Sequence, residues 1–208
     1  GAGEASSDLD YASTSALALN GGTIKDGAGN AATLTLASPG ATNSLGANKA
    51  LVVDGIVPTV SSVTSNTSNG SYKVDEVIAI TVTFSEAVTV NTTNGTPQLT
   101  LETGSSDAVV NYTSGTGGTT LTFNYTVASG HTSSDLDYAS TSALALNSGT
   151  IKDAAGNSAT LTLATPGQSN SLGANKALIV DTTVPTISSV NSTASNGTYK
   201  IDDVIPIK

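Results

Sequence analysis

The stretch from Ile78 to Phe84 reads Ile-Ala-Ile-Thr-Val-Thr-Phe, and it decides the fold class. Large apolar side chains occupy every second position, with alanine and threonine between them. Since successive side chains of a strand point to opposite faces, this pattern buries one face and leaves small or polar groups on the other. The stretch therefore predicts a β-strand in a sheet that has one face on a core.

The same alternation continues in shorter runs on both sides of this strand. The further predicted strands are 59–63, 72–74, 88–90, 98–101, 108–112, 121–127, 150–152, 160–163 and 177–180. A glycine-rich run at 114–118 predicts a hairpin loop. No segment shows the sustained period of 3.6 that is typical of an amphipathic helix. Many short strands separated by turn residues predict an all-β fold, and a β-sandwich accounts best for their number.

The sequence repeats itself at an offset of 127 residues, and residues 1–81 match residues 128–208 at 59 of 81 positions. A phrase made of an apolar run, an aspartate and then a proline occurs twice, from Ala50 to Thr59 and from Ala177 to Thr186. A period of this length suits a whole domain rather than a solenoid unit. We interpret the phrase as the joint between two copies of one module.

This joint divides the chain into three parts. They are the C-terminal part of one module at 1–57, a whole module at 58–184 and the N-terminal start of a third at 185–208. The last residues fall inside an expected strand, and half a strand leaves sheet edges unpaired. We therefore expect a piece of a longer tandem array, in which neighbouring repeats of the same chain are the main partners.

Composition and charge exclude several classes of function. The net charge is −9, and all seven basic residues are lysines. Such a chain would be repelled by nucleic acid and by anionic membrane surfaces. Cysteine is absent, so there is no disulfide framework and no thiolate metal site. Neither a signal peptide nor a run of 18 apolar residues is present. The absence of cysteine is compatible with a protein on the outside of a bacterial cell.

Several motifs together resemble the bacterial immunoglobulin-like repeats of large cell-surface adhesins. The motifs are Val-Pro-Thr after an aspartate, the run Ile80–Val88, the segment Ile151–Asn157 and the run Ala177–Asp181. The resemblance covers the whole chain. It implies immunoglobulin-like β-sandwich modules in tandem, export to the cell surface, a role as an extended stalk and calcium at the joints between modules.

Calcium takes six to eight oxygen ligands, several of them from carboxylates. Aspartates cluster at the turns and at the joints, and each has a counterpart one period away. The candidate metal ligands are Asp54 and Asp181 at the joints, Asp26 and Asp153 in turns, and the pairs Asp8 and Asp10, and Asp135 and Asp137. Further acidic residues follow each joint: Asp75, Glu76 and Glu86 after the first, and Asp202 and Asp203 after the second. The alternative is that each aspartate closes a turn through its own side chain, without a metal.

No catalytic constellation is present. His131 is the single histidine, and its counterpart one period earlier is Glu4. A lone histidine without cysteine provides neither a catalytic triad nor a zinc site, and we expect it to be a solvated surface residue. Asp135 and Asp137 have the residue types of a glycosidase pair, but the pair recurs at Asp8 and Asp10, which favours a structural turn. We predict that the protein is not an enzyme.

Three functions stay open at this point. The first is a structural spacer of an extracellular adhesin, with joints stiffened by calcium. The second is the repeat unit of a filament or surface layer, which requires a lateral interface with other copies of about 1,000 Å² or more. The third is a carbohydrate-binding module, for which the recurring tyrosines Tyr11, Tyr138, Tyr72 and Tyr199 are the candidates. For those tyrosines the alternative is packing at the corners of the sandwich.

Overall fold

The computed structural model describes residue 1 and residues 3–208, and within them it contains thirteen strands and two short helices. The elements are β1 (Ala5–Ser6), α1 (Leu45–Asn48), β2 (Val53–Asp54), β3 (Val60–Ser65), β4 (Gly70–Tyr72), β5 (Val77–Asn91), β6 (Gln98–Glu102), β7 (Ala108–Ser114), β8 (Gly118–Thr126), β9 (Thr132–Ser133), β10 (Asp137–Tyr138), β11 (Leu144–Ala145), β12 (Thr150–Lys152), α2 (Leu172–Asn175) and β13 (Leu178–Asp181). The fold is therefore nearly all β, as the sequence predicts.

Strand β5 is the longest element, with 15 residues, and it organises the sheet. Its first half pairs antiparallel with β3 and with β8, and Ile80 lies opposite Phe123. Its last residues pair with β12, where Val90 lies opposite Ile151. The even-numbered residues from Ile78 to Phe84 are at most 2% exposed. The alternation in the sequence thus places one face of β5 on the core.

Strand β7 connects the two parts of the sheet that lie on either side of the core. Its first residues pair with β6, and its last residues pair with β8 after a shift of register at Tyr112. The Tyr112 ring packs edge-on against Phe123, with ring centroids 6.2 Å apart. On its other side β6 pairs with β10 and β11. Because one core contacts residues of β3, β5 and β8 and also residues of β6, β10 and β11, the two parts of the curled sheet form the layers of a sandwich.

A three-stranded sheet completes this part of the chain. Strand β13 lies between β4, to which it is parallel, and β9, to which it is antiparallel. Its inward residues Leu178 and Val180 are 0% and 2% exposed. This strand ends at Asp181, so the aspartate of the second joint lies at the end of a core strand.

The buried hydrophobic residues of the described chain all lie between Val63 and Val180. Complete burial of each large apolar side chain contributes about 1.5–3 kcal/mol. Two leucines of residues 1–57 are exposed although their counterparts are buried: Leu9 is 37% exposed and Leu136 0%, and Leu45 is 37% exposed and Leu172 0%. The buried counterparts belong to the same core as residues of β3, β5, β6 and β8.

Most of the predicted strands are confirmed, but the prediction for residues 160–163 is wrong. Thr160 makes a single parallel bridge to Thr59, and no ladder continues from it. Leu163 is buried, and its N–H donates to the carbonyl of Thr141 in a loop. The alternation reflects burial of one side of this segment, while the hydrogen-bond partners of a strand are missing. Helix α2 follows this segment, and the buried Ser171 side chain caps it by accepting the N–H of Ala174 at 3.2 Å.

Candidate metal centre

The candidate site is built around the linker, residues 54–58, which connects β2 to β3. Strand β2 pairs with β1, so Asp54 lies opposite Ala5. The next residue, Gly55, donates its N–H to the carbonyl of Glu4 at 2.7 Å. A Cβ at Gly55 would lie 2.6 Å from the carbonyl oxygen of Gly1, so a side chain at this position would require the backbone to shift. This pairing fixes the half-buried Asp54 at the start of the linker.

Glu86 lies in β5 between two core residues of the same alternation, Phe84 and Val88, which are 2% and 1% exposed. A carboxylate at this position is half-buried at the edge of an apolar face. Burial therefore raises the pKa of Glu86, and the nearby carboxylates of Asp54 and Asp153 raise it further. The ionised form of Glu86 lacks compensation from the protein.

Asp153 begins the loop that follows β12, and it is 5% exposed. Its carboxylate accepts the backbone N–H of Asn157 at 2.8 Å and the side-chain amide of Asn157 at 2.8 Å. Burial by itself would raise the pKa of Asp153. Hydrogen bonds from Asn157 and from the backbone of Gly156 and Ala155 outweigh that effect, and the pKa is lowered. Asp153 is therefore held as a carboxylate.

The structure brings Asp54, Glu86 and Asp153 together, with one carboxylate oxygen from each within 4.8 Å of the others. Negative groups this close repel one another, and a cation between them would remove that repulsion. The donors are all oxygens, which suits a hard divalent cation, and three carboxylates supply about half of the ligands that calcium takes. The residues present therefore fit calcium. They come from both sides of the linker.

Two of these three residues are among the sequence candidates, and the third was noted only for its place after the joint. A signal for Glu86 was available, because it occupies an apolar position in the alternation of Phe84 and Val88. A charged residue in the core-facing register of a strand indicates either a paired charge or a ligand. The distance of Asp153 from Asp54 along the chain concealed their contact.

The counterpart Asp26 forms the same turn, but among the described residues it is not part of a cluster of three acidic side chains. It accepts the backbone N–H of Ala28 at 3.0 Å and both the backbone and the side chain of Asn30 at 2.8 Å. The side-chain amide of Asn30 lowers the pKa of Asp26 most, and the backbone adds to the effect. The side chain of Asp26 thus closes its turn without a metal, as the alternative to a metal site predicts.

The paired aspartates lie next to the two short helices. A Cβ at Gly46 would lie 3.1 Å from a carboxylate oxygen of Asp8 and 3.0 Å from one of Asp10. At the equivalent Gly173 the distances are 3.4 Å to Asp135 and 3.0 Å to Asp137. These carboxylates also bind backbone, because Asp10 accepts the N–H of Gly40 at 2.9 Å and Asp137 that of Gly167 at 2.8 Å. The arrangement ties a loop to the start of each helix.

Asp181 ends β13 and is exposed. Its side chain accepts the N–H of Thr183 at 2.9 Å, as Asp54 accepts that of Ile56 at 3.1 Å. The positions that correspond to Glu86 and Asp153 one period later lie beyond residue 208. The two joint aspartates therefore share a local geometry, and carboxylates of the described residues surround only the first.

The prediction that His131 is a solvated surface residue is wrong. The side chain is half-buried, and its ring stacks on Tyr125 with centroids 5.8 Å apart. The Tyr125 hydroxyl and Nδ1 of His131 are 2.8 Å apart and form a hydrogen bond. Burial raises the pKa of Tyr125 to about 12, so the phenol stays neutral. The contact was hidden from the sequence because the chain turns between the two residues.

The recurring tyrosines use their hydroxyls within the fold. Tyr138 is 1% exposed and donates to the carbonyl of Ala164 at 2.6 Å, and Tyr11 donates to Ala37 at the same distance. Tyr72 donates to Ser68 at 2.5 Å, and Tyr199 donates to Ser195. These contacts favour packing at corners over the stacking surface that a sugar requires.

The curled all-β sandwich, with a short linker entering at one end, defines the class of immunoglobulin-like β-sandwich modules. A family model described as "Bacterial Ig-like domain" matches residues 54–167, more than half of the chain. The chain belongs to this family. Neither a curated protein nor a solved structure matches it. Domains of the family are typically structural rather than enzymatic.

One further property concerns membranes. None of the helices in the described part of the chain has the length and apolar character that crossing a bilayer requires.

Proposed function

We propose that the protein is a structural spacer of an extracellular bacterial adhesin, made of tandem immunoglobulin-like modules whose joints are stiffened by calcium. Membership of the bacterial Ig-like family supports this role, since such domains occur in bacterial surface proteins. The 127-residue repeat supports the tandem arrangement, with a first module ending at residue 57 and the next extending to residue 184.

The observation that carries the proposal is the carboxylate cluster across the linker. Asp54 is the first residue of the linker, at the end of β2, whereas Glu86 and Asp153 belong to the part that follows the linker. A calcium ion bound by all three would connect two modules in addition to the peptide chain. Rotation about the linker would then require a ligand to leave the ion, so the joint would become stiff.

The charge pattern gives calcium a second effect. Without a cation, burial raises the pKa of Glu86, and the two neighbouring carboxylates raise it further, so the ionised form of Glu86 is unfavourable. The cation offsets that cost, and it binds the folded state only, because the three residues converge only on folding. Ligand binding of this kind stabilises a protein by about 2.7 kcal/mol at one hundred times the Kd.

Thermal unfolding of the whole chain with calcium and with a chelator tests the proposal. We expect a higher midpoint in calcium for the wild type and little change for Glu86→Gln. Asp26→Asn is the matched control, because Asp26 forms the same turn as Asp153 without the cluster, and its response to calcium should equal that of the wild type. A midpoint that is the same in calcium and in chelator would refute the calcium-stiffened joint.

Lateral assembly into a filament and recognition of sugars have less support. The tyrosine hydroxyls that a sugar-binding site would use are engaged with backbone carbonyls. Assembly with other copies stays a prediction from the sequence, to be checked by the oligomeric state in solution.

A further inference from the structure

The side chain of Asn157 reaches from the loop after β12 to the linker. Its Nδ2 donates to the carbonyl oxygen of Asp54 at 3.0 Å and to that of Ile56 at 3.2 Å. The same nitrogen donates to Oδ2 of Asp153 at 2.8 Å. One hydrogen of the Asn157 amide is therefore held by Asp153, and the other is shared between two carbonyls of the linker backbone.

The linker has further contacts with the strands that follow it. The carbonyl of Pro58 accepts the N–H of Thr160 at 2.8 Å, and the N–H of Thr59 donates to the Ser85 hydroxyl at 3.0 Å. Asn157 is the contact that holds the first half of the linker, between Asp54 and Ile56. Hydrogen bonds at both halves leave the linker little freedom to rotate relative to these strands.

The loop has the same shape where no linker lies against it. One period earlier, Asn30 donates its backbone N–H and its side-chain amide to Asp26, each at 2.8 Å. Among the described residues, Asp26 is the only acceptor of the Asn30 amide. The pairing of aspartate with asparagine therefore forms the loop by itself, and the loop from Asp153 to Asn157 is preorganised to receive a linker.

Recognition of backbone carbonyls is compatible with the residues that differ between the joints. Gly55 and Ile56 of the first joint are replaced by Thr182 and Thr183 in the second. An amide that contacts the linker only through backbone carbonyl oxygens tolerates such changes, because every residue has a carbonyl group. Asparagine is present in both loops, at 30 and 157.

We propose that the loop from Asp153 to Asn157 is a docking element for the backbone of the preceding linker, and that it holds the joint without a cation. The inference rests on the proposed joint at residues 54–58, but not on calcium. It assigns Asn157 a positioning role, in which the amide sets the direction of one module relative to the next. Calcium would then act on a joint that is already in position.

Hydrogen exchange of the whole chain, followed by mass spectrometry in chelator, tests this assignment. In Asn157→Ala the linker carbonyls lose the one or two hydrogen bonds that they accept from Asn157, and the linker becomes freer to move. We therefore expect the amides of residues 55–57 to exchange about five- to tenfold faster. The matched control is Asn30→Ala, which removes the same side chain from a loop that receives no linker among the described residues. It should leave exchange at residues 55–57 unchanged.

A second variant separates the docking contact from the integrity of the loop. Asn157→Gln retains the amide but moves it by one methylene, and it should give an intermediate exchange rate at residues 55–57. If Asn157→Ala accelerates exchange only within residues 153–157 and leaves the linker as in the wild type, the docking role is wrong. The same holds if Asn30→Ala accelerates the linker equally.

Repeating the measurement in calcium separates the two proposals. If calcium has no effect on any variant but Asn157→Ala still loosens the linker, the docking element stands and the calcium-stiffened joint fails. If calcium protects the linker equally in the wild type and in Asn157→Ala, and the two also exchange alike in chelator, the cation alone holds the joint and the docking element fails.

Discussion

Asp54 and Glu86 place carboxylate oxygens within 4.8 Å of each other across the linker, although Glu86 belongs to the core-facing alternation of β5. The proximity is unfavourable for the protein alone. It raises the pKa of Glu86, for which burial is the larger cause and the charges of Asp54 and Asp153 are the smaller ones. Because the stability of the protein depends on the charge of Glu86, it should respond to pH and to cations.

The first prediction concerns pH in the presence of chelator. The pKa of Glu86 is raised in the folded state above its ordinary value of 4.5. As the pH falls through the raised pKa, the folded protein binds a proton that the unfolded chain does not yet bind, so the stability rises in that window. We expect Glu86→Gln to be more stable than the wild type at pH 7, and the difference to shrink as the pH approaches 4.5.

Thermal unfolding from pH 7 to pH 3 in chelator provides the measurement. The aspartates act with the opposite sign, since the lowered pKa of Asp153 contributes stability above 3.8 that is lost as the pH falls further. As the pH falls, the stability of the wild type should therefore first rise as Glu86 is protonated and then fall as Asp153 is protonated. Equal midpoints for the wild type and Glu86→Gln at pH 7 would contradict the claim that ionised Glu86 destabilises the folded protein.

The second prediction concerns the tyrosine at the corner of the sandwich. Tyr138 is buried, its pKa is raised to about 12 by burial and then by Asp137, and its hydroxyl donates to Ala164 at 2.6 Å. Tyr138→Phe leaves that carbonyl without its donor and should cost about 1–2 kcal/mol in urea unfolding. Tyr11→Phe removes the equivalent bond in residues 1–57, outside the buried core, and should change the main transition little. Equal losses in both variants would show that the hydroxyl acts independently of burial.

The third prediction uses a difference between the repeats. The N–H of Ala79 donates to the Thr67 hydroxyl at 2.9 Å. One period later the two positions are Pro206 and Ala194, so donor and acceptor are lost together. We expect Ala79→Pro to cost about 1–3 kcal/mol and the cost to be about 1 kcal/mol smaller in the background of Thr67→Ala. Additive effects in this double-mutant cycle, measured by urea unfolding, would show that the two changes are unrelated.

The fourth prediction concerns a close approach of two loops. A Cβ at Gly95 would lie 1.8 Å from the carbonyl oxygen of Asn147. Gly95→Ala must therefore separate the loops, and it should lower the free energy of unfolding by about 1–3 kcal/mol. Gly27→Ala is the control, since nothing lies within 4 Å of its Cβ position and the equivalent residue is Ala154. A neutral Gly95→Ala would mean that the loops tolerate separation.

The sequence allowed most of the strands to be predicted, because alternation depends on neighbours along the chain. Residues 78–84, 98–101 and 150–152 are strands in the structure as predicted. The segment 160–163 shows the limit of this reasoning. Alternation reports burial of one side, but a strand also needs a partner with unpaired backbone groups, and the partner is decided by the tertiary fold.

The candidate site was less accessible to sequence reasoning. Asp54 and Asp153 were chosen from their places at a joint and in a turn, and the sequence could not distinguish Asp153 from its counterpart Asp26. The two turns have the same hydrogen bonds. The two turns differ because Asp54 and Glu86 lie close to Asp153 but not to Asp26.

The sequence by itself determined the all-β class, the 127-residue repeat and the position of the linker, because these follow from local alternation and from self-similarity. The tertiary structure decided which carboxylates meet, that Asn157 reaches the linker, and that His131 stacks on Tyr125. The physical reason is that sheet pairing brings together side chains from strands and loops that are far apart in the sequence, and identical local motifs then acquire different neighbours.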